Sequence, residues 1–212
     1  MEIAIVLYDR FTALDAIGPY EVLSRLPGAS VTFVAAEPGP VVTDNGMLTV
    51  IAAEPLGAMH APDIVLVPGG PGEVAARAGG EVLQWLAAVA PATTWMTSVC
   101  TGSLILAAAG LLDGRRATTH WLAMGELGRL GASPVAERVV FDGSTVTAAG
   151  VSAGIDMALA LAARIAGPEV AQAIQLGIEY DPQPPFDAGS PAKAPKELVE
   201  FLSSRSRFAE QM

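Results

Sequence analysis

Short runs rich in β-branched and other apolar residues alternate along the chain with longer stretches whose apolar positions recur every three to four residues. This is the pattern of parallel strands joined by helices that cover both faces of a sheet. Residues 2–7 (EIAIVL), 31–36, 63–67 (DIVLV) and 93–98 (TTWMTS) predict strands, with a shorter one at 116–119. Residues 13–26 predict a helix, because Leu14, Ile17, Val22 and Leu26 keep helical spacing, disturbed near its start by Gly18-Pro19. Further helices are expected over 81–90, 102–112, 121–130, 152–165 and 168–178, the last with Pro168 at its first position, where proline is tolerated. Two segments read as antiparallel hairpins: 41–51 around Asp44-Asn45-Gly46, and 138–149 around Asp142-Gly143, the second leading into a final core strand. The segment 181–195 is too proline-rich for regular structure, and 196–208 predicts a last amphipathic helix. The expected organisation is one α/β domain over 1–180. An arm and helix over 181–212 then pack on that domain or on a partner subunit, a reading favoured by the apolar Phe186.

Composition bounds this picture. A chain of 212 residues is long enough to bury roughly 70–75% of its unfolded surface in one core. It is 51% hydrophobic and 16% charged, with a mean hydropathy of +0.45, which excludes disorder and raises the question of a membrane. Residues 82–112 carry no charge, but Pro91 and the polar run Thr93, Thr94, Thr97, Ser98, Thr101, Gly102, Ser103 interrupt them, so they read as buried core. The net charge of −10 argues against nucleic acid and anionic membranes, whose phosphates need clustered Lys and Arg. The beginning MEIAIVLYDR lacks the basic region and small-residue site of a secretory signal, so a cytoplasmic location and a small-molecule substrate are expected. With one cysteine, neither an internal disulfide nor a cysteine-built metal cage is expected.

That cysteine is the first candidate for chemistry. Cys100 lies in Ser98-Val99-Cys100-Thr101-Gly102, between a strand and a helix, the arrangement of a nucleophile elbow at the carboxyl edge of a sheet. A helix N-terminus favours the thiolate by roughly 0.3–1 kcal/mol, less than the 1.36 kcal/mol of one pKa unit, so a reactive Cys100 needs further donors. The alternative is a small buried residue without chemistry. His60 and His120 are the only histidines. His60 reads as a surface residue, whereas His120 follows a strand and falls on the same sheet edge as Cys100, where it lines a site. Asp15 is either a site acid or a helix-start acid facing the dipole, and Glu21, Asp113, Glu126 and Asp156 are weaker candidates. Residues 68–72 (PGGPG) follow a strand and present backbone N–H groups at the same edge.

Several of these stretches together resemble one family. Residues 14–22 (LDAIGPYEV), 67–70 (VPGG), 98–102 (SVCTG), 109–114 (AGLLDG), 116–121 (RATTHW) and 181–191 (DPQPPFDAGSP) are similar to the ThiJ/PfpI superfamily and, within it, to the isonitrile hydratases. The resemblance covers nearly the whole chain. It implies a flavodoxin-like three-layer α/β fold, mostly parallel, with Cys100 as nucleophile, Asp15 as its protonated partner and Thr101 as a supporting hydroxyl. It also implies a homodimer without metal or organic cofactor. Protease-like members carry His after the cysteine; Thr101 stands there in this chain, which argues against peptidase activity. Regulators with similar motifs carry a helix-turn-helix domain, for which this chain has neither the length nor the charge.

The implied reaction is hydration of an isonitrile, R–N≡C, to the formamide R–NH–CHO. Cys100 attacks the terminal carbon, Asp15 protonates it, and water hydrolyses the resulting thioimidate. An ionised carboxylate beside the sulfur opposes thiolate formation, so the pair is expected to share one proton. The amides of Gly69 and Gly70, and His120, are expected to bind substrate or stabilise negative charge. Glyoxalase or deglycase chemistry, or redox sensing at the same cysteine, are the alternatives.

Overall fold

The chain opens with β1 (Glu2–Val6), α1 (Ala13–Leu23), β2 (Ser30–Ala35), β3 (Gly39–Val42), β4 (Thr49–Ala52) and β5 (Glu54–Pro55). It continues through β6 (Ile64–Val67), α2 (Glu73–Ala76), α3 (Glu81–Val89), β7 (Trp95–Val99), α4 (Gly102–Ala108), β8 (Arg116–Ala117) and α5 (Met124–Arg129). β9 (Ser133–Pro134), β10 (Val139–Asp142), β11 (Thr145–Ala148), α6 (Ala153–Ala166), α7 (Pro168–Gly177) and α8 (Lys196–Ser204) complete it. These assignments come from a computed structural model that describes residues 1–209.

Seven strands form one sheet in the order β10-β11-β7-β6-β1-β2-β5. All neighbours run parallel except the edge pair β10 and β11. The central strands are apolar along their length because they are covered on both sides: Ile3 to Val6 and Ile64 to Val67 are fully buried. The helices α1, α6 and α7 pack together, and α3, α4 and α5 form a second group, so the sheet is the middle of three layers. This is the mostly parallel flavodoxin-like α/β fold.

The hairpin expected over 41–51 forms as a separate ribbon, but its ladder ends at the pair Val42 and Thr49, leaving six residues outside it rather than a two-residue turn. Side chains organise that longer loop. Thr43 Oγ1 donates to the Leu48 carbonyl at 3.0 Å, and Asn45 Oδ1 accepts from the Met47 amide at 3.0 Å. The second hairpin forms over 139–148 and delivers β11 against β7. The strand expected at 116–119 is only the two-residue β8, paired with β9 outside the main sheet. The helix expected over 102–112 stops at Ala108, where the Leu111 amide closes back on the Leu106 carbonyl at 3.0 Å. The helix expected over 121–130 begins as a 3₁₀ turn (Trp121–Ala123) before α5. In contrast to its expected disturbance, α1 runs through Pro19, although proline supplies no N–H for the carbonyl of Asp15.

In the arm, Phe186 is 79% exposed, and α8 keeps Leu198, Phe201 and Leu202 about half exposed. Beyond α8, Phe208 returns to the domain and is buried in its core. The end of the expected 181–212 unit, residues 210–212, lies outside the described residues.

Candidate active site

The chain leaves β1 into α1 towards β2 on one side, and later enters β6 on the other side of β1. The strand order therefore reverses between β1 and β6, and open α/β sheets bind ligands at the carboxyl ends of the strands beside such a reversal. Asp15 stands in the first turn of α1, Gly69 and Gly70 follow β6, and Cys100 follows β7. The topology thus brings three separate stretches of the chain to one place.

Cys100 occupies the elbow in a left-handed conformation, φ 56°. Holding a non-glycine residue there costs about 1–3 kcal/mol and requires surroundings that over-determine it. They are visible: the Cys100 amide lies 3.0 and 3.1 Å from the carbonyls of Ala148 and Ala149, and its carbonyl accepts from Thr119 Oγ1 at 3.0 Å and Ser103 Oγ at 3.2 Å. Two glycines let the elbow close. A Cβ on Gly102 would stand 2.1 Å from the Val67 carbonyl oxygen, and one on Gly69 would stand 2.5 Å from the Thr101 amide nitrogen. The sulfur-bearing residue is only 6% exposed.

Asp15 is completely buried. The Gly69 amide donates to its Oδ2 at 2.9 Å, while Oδ1 is buried with no aligned hydrogen-bond partner. Burial pushes this carboxyl up from 3.8 to about 7, against the opposing pull of the Gly69 amide and of the neighbouring Cys100 thiol; the charge of Asp44 adds to the rise. The Cys100 thiol is itself pushed up, first by burial and then by the negative charge of Asp15. The backbone amides of Thr101 and Val151 oppose that rise. The two groups are therefore a coupled pair, and the first proton to leave it does so near neutral pH.

Thr101 Oγ1 accepts from the Gly70 amide at 3.0 Å. The amides of Gly69 and Gly70 are thus turned to Asp15 and Thr101. The amides of Thr101 and Val151 are the ones that act on the sulfur here. His120 does not hydrogen-bond to the sulfur: its Nδ1 accepts from the Leu122 amide at 3.3 Å, and its ring lies against Gly150, next to Val151. Burial first, and Arg207 second, lower its pKa, which keeps the ring neutral. His60 is exposed. Glu21, Glu126 and Asp156 pair with Arg25, Arg77 and Arg138 respectively, away from Cys100.

Two residues beside the site gave no warning by position. Tyr8, directly after β1, donates to the Pro68 carbonyl at 2.7 Å, and burial followed by the charges of Asp15 and Cys100 raises its phenol well above 10. Glu73, at the start of α2, is fully buried between two arginines, with Arg77 Nε 2.8 Å and Arg207 Nη2 2.9 Å from its two oxygens, close but not aligned as hydrogen bonds. Among the described residues no cluster of three or more His, Cys, Asp or Glu could hold a metal ion.

Residues 1–164 match the model of the DJ-1/PfpI family. An isonitrile hydratase of Pseudomonas putida is 42% identical over 206 residues, which cover 97% of this chain and 90% of that protein. The HTH-type transcriptional regulator CdhR of Pseudomonas aeruginosa is 33% identical over 162 residues, covering 74% of this chain but 48% of the regulator. Among solved structures, a ThiJ/PfpI family protein from Pseudomonas syringae superposes with a TM-score of 0.93 at 37% identity, over 99% of this chain and 88% of that one.

Proposed function

The chain belongs to the DJ-1/PfpI family, and from that premise we propose that it is an isonitrile hydratase in which Cys100 is the nucleophile and Asp15 the acid. The observation that carries this reading is the buried carboxyl of Asp15, held at about 7, against the thiol of the elbow cysteine. The relative from Pseudomonas putida supports the substrate class.

The pair holds one proton in its working form, as thiol with carboxylate or as thiolate with carboxylic acid. In the second form the sulfur attacks the terminal carbon of R–N≡C and a C–S bond forms. Asp15 gives its proton to the same carbon, leaving the thioimidate R–N=CH–S–Cys and an Asp15 carboxylate. Water then adds to that carbon, with a proton passing to nitrogen. The C–S bond breaks as the C=O bond forms, the sulfur leaves as thiolate, and the hydroxyl proton returns to Asp15. One water is consumed, and R–NH–CHO is released. Gly69 holds Oδ2, so Oδ1 is the oxygen from which the proton is delivered. The Thr101 and Val151 amides steady charge on the sulfur in both steps, and Thr101 Oγ1 anchors the Gly70 end of the loop that carries Gly69.

Redox sensing fits less well, since peroxide attacks exposed thiolates of low pKa, and Cys100 is buried with its thiol pushed up. The reading places the protein in the cytoplasm, where a working thiol stays reduced, and as a homodimer. A groove of about 400 Å³ lined by the apolar Leu14, Ile17, Ile155 and Ile178 together with Glu21, Arg25 and Tyr180 offers a face for a second copy. Incubating the purified protein with cyclohexyl isocyanide and following the formamide tests the function. Formamide is expected from wild type and not from Cys100→Ala; turnover that survives Cys100→Ala refutes the mechanism.

A further inference from the structure

The loop 68–72 carries the amide that holds Asp15 and the amide that meets Thr101, and it is fixed from within only in part: Pro68 and Pro71 restrict φ, and the Glu73 amide donates to the Gly70 carbonyl at 3.1 Å. Three of its five residues are glycine, which loses the most backbone freedom on ordering. The helix it enters, α2, is a single turn of four residues and cannot stand as a rigid support by itself. Thr12 and Arg10 bind it from one side, through the Thr12 amide on the Gly69 carbonyl at 2.8 Å and the Gly72 amide on the Arg10 carbonyl at 3.2 Å.

The other side is held from the far end of the chain. Arg207 Nη1 donates to the Pro71 carbonyl at 2.9 Å and Nη2 to the Gly70 carbonyl at 3.3 Å, across 136 and 137 residues of sequence. The same Nη2 lies 2.9 Å from Glu73 Oε1. Glu73 is tied through its other oxygen to Arg77, and Arg77 Nη1 meets Glu126 Oε1 at 2.5 Å. Phe208, the next residue, is buried in the core, which fixes where Arg207 emerges. A planar guanidinium suits two adjacent carbonyls and a carboxylate at once, and an ammonium does not.

We propose that Arg207 is a positioning residue for the hydratase site: with Phe208 as its anchor, it clamps the Gly70 and Pro71 carbonyls, on the two peptides that follow those carrying the Gly69 and Gly70 amides, and so holds the loop in the shape that keeps the Gly69 amide on Asp15 and the Gly70 amide on Thr101. The inference rests on the hydratase reading for its kinetic test, and on geometry alone for its chemical one. It gives the C-terminal segment a role in the site although its helix, α8, has no buried residue.

The test uses full-length Arg207→Met, Arg207→Lys, Glu73→Gln and the double variant Glu73→Gln/Arg207→Met. Formamide production gives kcat and KM, and iodoacetamide gives the alkylation rate of Cys100. Displacing the loop by a fraction of an ångström should lower kcat on the order of tenfold or more in Arg207→Met with KM nearly unchanged. Alkylation should rise severalfold as the cover over the sulfur loosens. Arg207→Lys can still face Glu73 but cannot fork two carbonyls, so it should fold and show an intermediate loss. Glu73→Gln should leave most of kcat and should not rescue Arg207→Met. Full rescue in the double variant would mean that Arg207 merely neutralises Glu73, and would overturn the proposal. Wild-type turnover and wild-type alkylation in Arg207→Lys would overturn it too, even where Arg207→Met fails to fold. If wild type makes no formamide the hydratase reading fails instead, and alkylation still decides the clamp: equal rates in wild type and Arg207→Lys reject it.

Discussion

Replacing Asp15 by Asn should abolish turnover and at the same time stabilise the protein, by an amount that grows with pH. The carboxyl is raised from 3.8 to about 7 because ionising it inside the fold means charging a group with no exposure to water. Below pH 3.8 the group is protonated in both folded and unfolded chains and has no effect on their balance. Between there and about 7 the unfolded chain ionises freely while the folded one resists, so stability falls as pH rises; above 7 the loss is complete. The two values correspond to about 4 kcal/mol, at 1.36 kcal/mol for each pKa unit. An Asn accepts from the Gly69 amide and carries no charge, so it escapes this loss. For a domain of this size about 4 kcal/mol is on the order of 10 °C in Tm. Thermal melts of wild type and Asp15→Asn across pH 4 to 8.5 give the difference directly. The curves should nearly meet at pH 4 and separate towards pH 8. Parallel curves would refute a buried acid titrating near neutrality, whatever the variant does to activity.

Two further outcomes follow from the same geometry. If the singly protonated pair is the working form, kcat/KM for isonitrile should rise as pH passes through about 7 and then level, because the thiol is pushed well above that range; a rate that falls through pH 7 would contradict the proton inventory. Light scattering should give a mass near twice the chain's 21.7 kDa, and a monomer at micromolar concentration would remove the homodimer from the reading.

The layer architecture was legible because the central strands are buried on both faces and so advertise themselves as apolar runs bounded by turn residues. What escaped was decided by contacts distant in sequence. Residues 116–119 have strand character, but the main sheet already ends in β10, whose edge lies against β8 only as a neighbour, so Arg116–Ala117 pairs with β9 instead. Residues 109–112 are as apolar as the helix before them, yet the chain turns at 109–111 to bring Leu112 into the core. Composition cannot separate a buried helix from a buried turn when both are filled with Ala and Leu.

At the site, the candidate side chains were legible and the backbone was not. Cys100 stands out by type and by its position after a strand, whereas Asp15 and Thr101 were singled out by the family resemblance. Which way an amide points depends on the peptide planes of the loop, and those are set by neighbours far away: Gly69 and Gly70 face inward to Asp15 and Thr101 while their loop is held outside by Arg207. An arginine 137 residues from its partner leaves no local trace. Glu73 likewise leaves no trace in the sequence; only the structure shows it as a fully buried carboxylate, which must find cations somewhere in the chain. With only 12 Lys and Arg against 22 Asp and Glu, cations are scarce, and spending two of them on Glu73 marks the outer side of this loop as a place where position is held at some expense in charge.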